Sequence, residues 1–396
     1  MRNTKRFASL AAIALLGLVA AACGSDSKSS GATGGTTAPA ATTASGATSA
    51  PQATTAAGAT TVAGGTTGTP SGTAPKVGLV FDIGGRGDQS FNDSAAAGIE
   101  RAQKELGITF TEASPNSDGS NRKELLDLAA QSSDIVIAVG FLFEPDAATV
   151  GTANPTKTFG VVDSAMVDAK TGKPYSPNIA GLVFSEEQGS FLVGAAAALK
   201  SKTGQVGFIG GVKGVGGLIE KFEAGYIAGA KAAKPDIKVI SKYITEAPNF
   251  DGFNAPDQAR DIATTMYDGG ADIIYSAAGG SGAGVFQAAK ATSESGGSKV
   301  WAIGVDSDQY NTADPTVKDY ILTSMIKHVD VAVFEIVKAA MDGNVKGGPT
   351  RYDLSVNGVG YATSGGFIDD IKDKLEAYKA DIISGKIVVP TDPTKA

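Results

Sequence analysis

Three apolar runs of the chain stop at an aspartate: 76–81 (KVGLVF) meets Asp82, Val161-Val162 meets Asp163, and Gly304-Val305 meets Asp306. Each aspartate alone is most often a cap or turn residue. Three carboxylates at three strand ends are more than capping needs, and an ionised carboxylate accepts from hydroxyl and N–H groups. A fourth run, 321–326, ends in Lys327, a single cation after an apolar strand. The loop after Asp82 reads IGGRGDQSFN, and its glycines let a backbone approach a ligand closely. Within it Ser90 is placed to cap the next helix, and Asn92 has the same chemistry. Phe91, at the helix start, serves either core packing or as a stacking plate for a ring. The segment 277–284 (AAGGSGAG) is a close-approach loop that fits neither the dinucleotide fingerprint nor the P-loop.

Catalytic and metal constellations are scarce. The chain has one His, His328, and no Gly-x-Ser-x-Gly elbow accompanies it. Its one Cys excludes a disulfide framework and a Cys-based zinc site within the chain. The remaining pieces are carboxylates, an aromatic, glycines and one lysine, which grip a ligand and do not transform it. No catalytic residue, metal or cofactor is expected, and the chain is read as a non-enzyme.

These residues must be positioned by the elements around them. From residue 76 onward short apolar strands are expected at 76–81, 108–111, 134–139, 158–162, 179–184, 205–209, 237–243, 272–276, 300–305 and 321–326. Helical periodicity fills many of the gaps, at 90–106, 187–200, 218–233, 256–268 and 329–341. Near-continuous apolar strands alternating with helices predict α/β architecture with parallel sheets covered on both faces. Ten such strands exceed one comfortable sheet, so two doubly wound lobes are expected. In such sheets ligands sit beyond the carboxyl ends of the strands, where the aspartates lie. No exact internal repeat and no membrane span is visible in this part.

The first 75 residues differ in kind. Arg2, Lys5 and Arg6, the apolar run 10–22 and the triplet Ala20-Ala21-Ala22 before Cys23 have the grammar of a secretory signal. The position of Cys23 resembles a bacterial lipobox, which predicts a signal over 1–22 and lipidation of Cys23. Of the 52 residues from 24 to 75, all but Asp26, Lys28, Gln52 and Val62 are Gly, Ser, Thr, Ala or Pro. Such a segment cannot offset its chain entropy, so 23–75 is expected to be a disordered linker with a reach of about 40 Å. Residues 1–75 hold four Lys/Arg and one Asp, which leaves 30 basic against 40 acidic residues, a net −10, for 76–396. That charge gives no reason to bind nucleic acid.

In these residues the chain resembles the basic membrane protein family of bacterial nucleoside-binding lipoproteins, substrate-binding components of ABC importers. The likeness rests on an ordered series of stretches: 82–92, 159–164, 178–194, 204–211, 219–233, 253–272, 278–284, 304–309 and 322–330. It implies a type I periplasmic-binding fold, with two α/β lobes joined by a multi-crossing hinge. Lobe 1 is expected over 76–184 with about 327–345 returning to it, and lobe 2 over 185–326 with about 346–396. It also implies a nucleoside, purine favoured, closed between the lobes. Phe91 and Phe253 resemble the rings that sandwich the base, with Phe222 a further wall. Asp82 and Asp163 resemble carboxylates facing the base edge, Asp306 and Lys327 the ribose grips, and Gly280 a main-chain contact to the sugar. Lys221 stands where an Arg usually precedes the Phe-Glu pair, and Gln89 where a Lys is common.

The reading is thus a lipid-anchored binder on the extracytoplasmic face of the cell membrane, monomeric, partnered by an ABC permease. Within the same fold, a ligand sensor or a binder of a sugar or other small polar ligand without a permease remains the alternative.

Overall fold

The computed structural model describes residues 74–396. The expected signal, Cys23 and the linker up to residue 73 lie outside the described residues. In chain order the elements are β1 (Lys76–Val80), α1 (Phe91–Leu106), β2 (Thr109–Ala113), α2 (Arg122–Ser132), β3 (Ile135–Ala138), α3 (Glu144–Ala153), β4 (Thr158–Val162) and β5 (Ile179–Phe184). There follow α4 (Glu186–Lys200), β6 (Gln205–Lys213), α5 (Leu218–Ala233), β7 (Lys238–Glu246), α6 (Pro256–Asp268), β8 (Ile273–Ala277), α7 (Gly282–Glu294), β9 (Trp301–Asp306), the short α8 (Gln309–Thr312) and β10 (Ile321–Lys327). The chain ends with α9 (Val329–Met341), β11 (Gly348–Tyr352), β12 (Val359–Tyr361) and α10 (Lys372–Ile383).

Two sheets result. The first is entirely parallel, in the order β11-β5-β4-β3-β1-β2. The second, β12-β10-β9-β8-β6-β7, is parallel except for its last pair, β10 with β12. In both, the second strand lies outside the first and the third returns on its other side, so each sheet has a switch point between its first and third strands. Helices α2 and α3 cover one face of the first sheet, with α1 and α9 on the other; α6 and α7, then α4 and α5, do the same for the second. Central strands such as β3 (IVIA) and β8 (IIYSA) are buried at every residue, which is why they read as near-continuous apolar runs and not as alternation.

Strands β4 and β5 and helices α5, α6 and α9 have the expected bounds. Strands β6 and β7 run on to Lys213 and Glu246, beyond their apolar starts, because they pair with each other along the edge of the sheet. One expectation is corrected. The segment from about residue 346 is expected in the second lobe, yet β11 pairs parallel with β5 in the first sheet, Gly348 opposite Ala180 through Tyr352 opposite Phe184. An edge strand tolerates the Pro349 and the polar residues that hid it.

The chain therefore crosses between the sheets three times, at Ser185, at His328 and over 353–358. The crossings lie side by side: the Ser185 amide donates to Tyr352 O at 3.0 Å and the His328 amide to Gly358 O at 2.9 Å. No helix among the described residues is long and apolar enough to cross a membrane.

Candidate functional site between the lobes

The carboxyl ends of both sheets face one cavity of about 580 Å³, mouth included. Asp82, Phe91, Asp163, Phe222, Phe253, Gly280, Asp306 and Lys327 all line it. Asp82, Asp163 and Phe91 come from the first lobe, following β1, β4 and the loop into α1. Phe222 comes from α5, Phe253 and Gly280 from short turns before α6 and α7, and Asp306 and Lys327 from the last residues of β9 and β10.

Lys327 is the centre of one end. It is 2% exposed, and its Nζ donates to Asp163 Oδ2 at 2.7 Å and stands 4.0 Å from Asp306 Oδ1. Three rings surround the ammonium, with centroids 4.6 Å (Phe91), 5.2 Å (Phe184) and 5.6 Å (Phe222) away. Asp163 Oδ1 and Asp306 Oδ1 are buried and have no hydrogen-bond partner among the described residues. Buried acceptors of this kind are normally satisfied. Two orphaned acceptors beside one lysine form a site complementary to hydroxyl groups, which both donate and accept. Asp163 and Asp306 hold left-handed backbone, φ 63° and 65°, a geometry that concentrates at functional sites.

The other end is acidic and amide-lined. The Asp82 amide donates to Asn92 Oδ1 at 2.9 Å, and Asp82 Oδ1 accepts from the Ile83 amide at 2.8 Å. Asp88 accepts from the amides of Ser90, Asn92 and Asp93, at 3.0, 2.8 and 3.1 Å. Asp88 is thus the cap of α1, and the expectation that Ser90 caps it is overturned. Ser90 Oγ instead donates across the cleft toward Val305 O and Asp306 Oδ2, each at 3.0 Å. Asp88 satisfies the helix amides first, which frees Ser90 for the opposite lobe.

The family described as ABC transporter substrate-binding protein PnrA-like matches residues 75–393. The chain belongs to this family. Its relatives include the CD4+ T-cell-stimulating antigen of Listeria monocytogenes serovar 1/2a, 36% identical over 330 residues, covering 80% of this chain and 88% of that one. An ABC transporter nucleoside-binding protein, BmpA, of Lactococcus lactis subsp. cremoris is 35% identical, covering 81% and 92%. Among solved structures, a solute-binding protein of an ABC transporter system from Aeropyrum pernix K1 superposes with a TM-score of 0.68 at 27% identity, covering 80% and 94%. The protein is therefore an ABC transporter substrate-binding protein of the PnrA-like family.

Burial sets the electrostatics of this family member's site. It pushes the Asp306 carboxyl up to about 6, against the pull of Lys327. It pushes Asp82 up to about 6 as well, opposed by the Ile83 amide and Arg122. Burial disfavours the Lys327 ammonium, but Asp163, Asp306 and Glu186 outweigh it and hold its pKa above the ordinary value.

Several lining residues escaped the sequence reading. Phe141 follows β3 at the same sheet end as Asp82, but an apolar residue after an apolar strand carries no signal that distinguishes it from core. Leu218 and Ile219 open α5 and are indistinguishable in sequence from core residues. Glu186, 1% exposed with its Oε2 3.4 Å from Lys221 Nζ, lies outside the cavity and carried no signal beyond its place at a helix start.

Proposed function

We propose that the chain captures a nucleoside, purine favoured, by closing its lobes around it, and delivers it to an ABC permease. The observation that carries this reading is the pairing, in one interlobe cavity, of aromatic walls with a Lys327–Asp163–Asp306 cluster bearing two unpaired carboxylate oxygens. A flat base stacks on Phe91, Phe222 and Phe253, worth about 1–3 kcal/mol per base. Ribose hydroxyls meet the cluster, and analogues without them leave its polar groups unpaired. Asp82, Asp88, Asp163 and Asp306 disfavour a phosphate, so nucleosides are preferred over nucleotides. The nucleoside-binding name of the Lactococcus relative agrees with this reading. The role is capture without chemistry, by a monomer.

Cys23, directly after the small-residue triplet, supports lipid anchoring on the extracytoplasmic face of the membrane. With several acyl chains at about 0.8 kcal/mol per buried CH₂, the anchor is stable. Cys23→Ala is expected to move the protein from the membrane fraction to the soluble one, and unchanged fractionation removes the anchor.

Titration calorimetry with adenosine, guanosine, inosine, uridine and cytidine tests the binding function. Heat with purine nucleosides and little with the matching 5′-nucleotides is expected. Absence of heat with every nucleoside, or a sugar found by mass spectrometry as the ligand carried through purification, overturns it.

A further inference from the structure

Next to the ligand cavity, and also between the lobes, lies a larger chamber of about 1140 Å³, mouth included. Phe141, Asp163 and Leu218 line both spaces, so the two share one wall. Asp82, Phe91, Gly280, Asp306 and Lys327 line the cavity alone, so the chamber adjoins the nucleoside site and does not repeat it. The ring of Phe141, from the first lobe, meets that of Phe250, from the second, edge to face at 6.5 Å, and Phe250 faces only the chamber. The loop between β6 and α5 borders the chamber with Gly214 and Gly216, at φ 78° and 68°. A Cβ at either glycine would meet no atom within 4 Å, so the loop leaves room beside its backbone.

The two spaces differ in charge. The cavity sets four aspartates against Lys327 alone, whereas the chamber adds two cations, Lys221 and Arg351, and one further acid, Glu144. Glu144 is engaged, accepting from Ser164 Oγ at 2.7 Å and from the Tyr175 hydroxyl at 3.4 Å. The cations are not. Arg351 is exposed on the edge strand β11, its Nη1 makes one long bond of 3.4 Å to Ser185 Oγ, and no described carboxylate is paired with it. Lys221 Nζ, from α5, lies 3.4 Å from Glu186 Oε2 and has further donors to give. A guanidinium with its fork free matches a carboxylate. At the shared wall Asp163 Oδ1 is buried without a partner, on a side chain that is 6% exposed, and can accept an N–H or O–H.

We propose that the chamber receives a side chain carried by the bound nucleoside and ending in a carboxylate, so that the substrates include nucleosides substituted in this way. The inference rests on the nucleoside reading above and widens its substrate class. A phosphate attached directly to the sugar stays among the aspartates of the cavity and is repelled. A carboxylate at the end of a longer tail passes Asp163 and reaches Lys221 and Arg351. These cations stand on opposite lobes, so a carboxylate held by both ties the lobes together. Both the base and the sugar of a nucleoside can carry such a tail, and matched probes tell the two apart.

The experiment is calorimetric titration of the full chain with tailed nucleosides and their truncated partners. The sugar-borne pairs are S-adenosylhomocysteine against 5′-methylthioadenosine, and S-inosylhomocysteine against 5′-methylthioinosine. The base-borne pairs are succinyladenosine against N6-methyladenosine, and N2-carboxyethylguanosine against N2-methylguanosine. At least one tailed nucleoside is expected to bind as tightly as its truncated partner or more tightly, and that pair shows whether the tail leaves the sugar or the base. Arg351→Gln should weaken this tailed nucleoside by about tenfold and leave its truncated partner nearly unchanged, since Arg351 does not line the cavity. Arg351→Lys, which keeps a cation, should restore part of the loss. Arg351 is exposed, so neither substitution threatens the fold. Three results overturn this inference alone and leave the chamber an empty vestibule. They are heat with unsubstituted nucleosides only, weaker binding of every tailed nucleoside than of its truncated partner, and an Arg351→Gln effect that is absent or common to both members of a pair. No heat with any nucleoside, substituted or plain, removes the nucleoside reading as well.

Discussion

Asp306 combines a left-handed backbone, a buried oxygen without a partner and a carboxyl raised to about 6 by burial. A carboxyl raised on folding contributes stability below its unfolded pKa of about 3.9, and that contribution is lost as pH rises through the folded value. The window for Asp306 is therefore pH 4 to 6, and above it the ionised form weakens the empty protein. Asp306→Asn keeps an acceptor for Ser90 and a residue type that tolerates positive φ. It is expected to stabilise the ligand-free protein at pH 7.5 by up to about 3 kcal/mol, with the gain vanishing by pH 4. Nucleoside affinity should fall at the same time, since an amide replaces the charged acceptor. Thermal denaturation at both pH values checks this, and a variant less stable than wild type at pH 7.5 refutes it. At this scale the sequence was informative wherever a residue ends an apolar run. Asp82, Asp163, Asp306 and Lys327 were legible because a strand's end is visible in one dimension. Arg122 and Asp88 were not, since their meaning depends on what stands behind Asp82 or beneath α1.

Between elements, α4 and α5 of the second lobe approach closely, and their packing sets where Phe222 stands. Small residues allow it. A Cβ at Gly229 would fall 1.9 Å from Phe191 O, one at Gly225 2.1 Å from Glu187 O, and one at Gly194 2.2 Å from Tyr226 O. Helix propensity alone favours Gly→Ala by about 1 kcal/mol. Here the obstacle is the backbone of the facing helix, which no rotamer change relieves, so overpacking of about 1–3 kcal/mol or more decides the sign. Gly229→Ala is expected to lower the urea midpoint and to weaken ligand binding through displacement of Phe222 on the same helix. An unchanged or higher midpoint shows that the helices part freely. The bounds of α5 were readable from its apolar periodicity and the glycines before it. Its partner was not, because a Gly/Ala stripe looks the same whether it faces a helix or a sheet. Strands β11 and β12 were illegible for a plainer reason: GPTRY and VGY contain no apolar run, and only their neighbours' free edges make them strands.

For the molecule as a whole, repetition explains the shared cavity. Both lobes place their second strand outside the first, so both direct their carboxyl ends, and with them the aspartates and Lys327, at the same gap. The alternation of strand and helix disclosed the class of fold, whereas the shared topology of the halves left no repeat in the sequence. The lobes also meet outside the cavity, where Gln89 and Ser90 of the first touch 305–312 of the second. The Gln89 carbonyl accepts from Gln309 Nε2 at 3.1 Å and from Thr312 Oγ1 at 2.9 Å, and the Ser90 carbonyl accepts from Ser307 Oγ at 2.9 Å. Neither Ser307 nor Thr312 lines the ligand cavity, so removing their hydroxyls leaves every ligand contact in place. Each such bond contributes about 0.5–1.5 kcal/mol, with exposed ones at the low end. Any preference of these bonds for the closed form enters the affinity directly, because apparent affinity scales with the population competent to hold ligand. Ser307→Ala with Thr312→Val is therefore expected to speed nucleoside release by about tenfold, with association changed far less. Stopped-flow displacement measures it. An unaltered release rate means that these bonds persist in the open form and belong to the hinge, not to the closure.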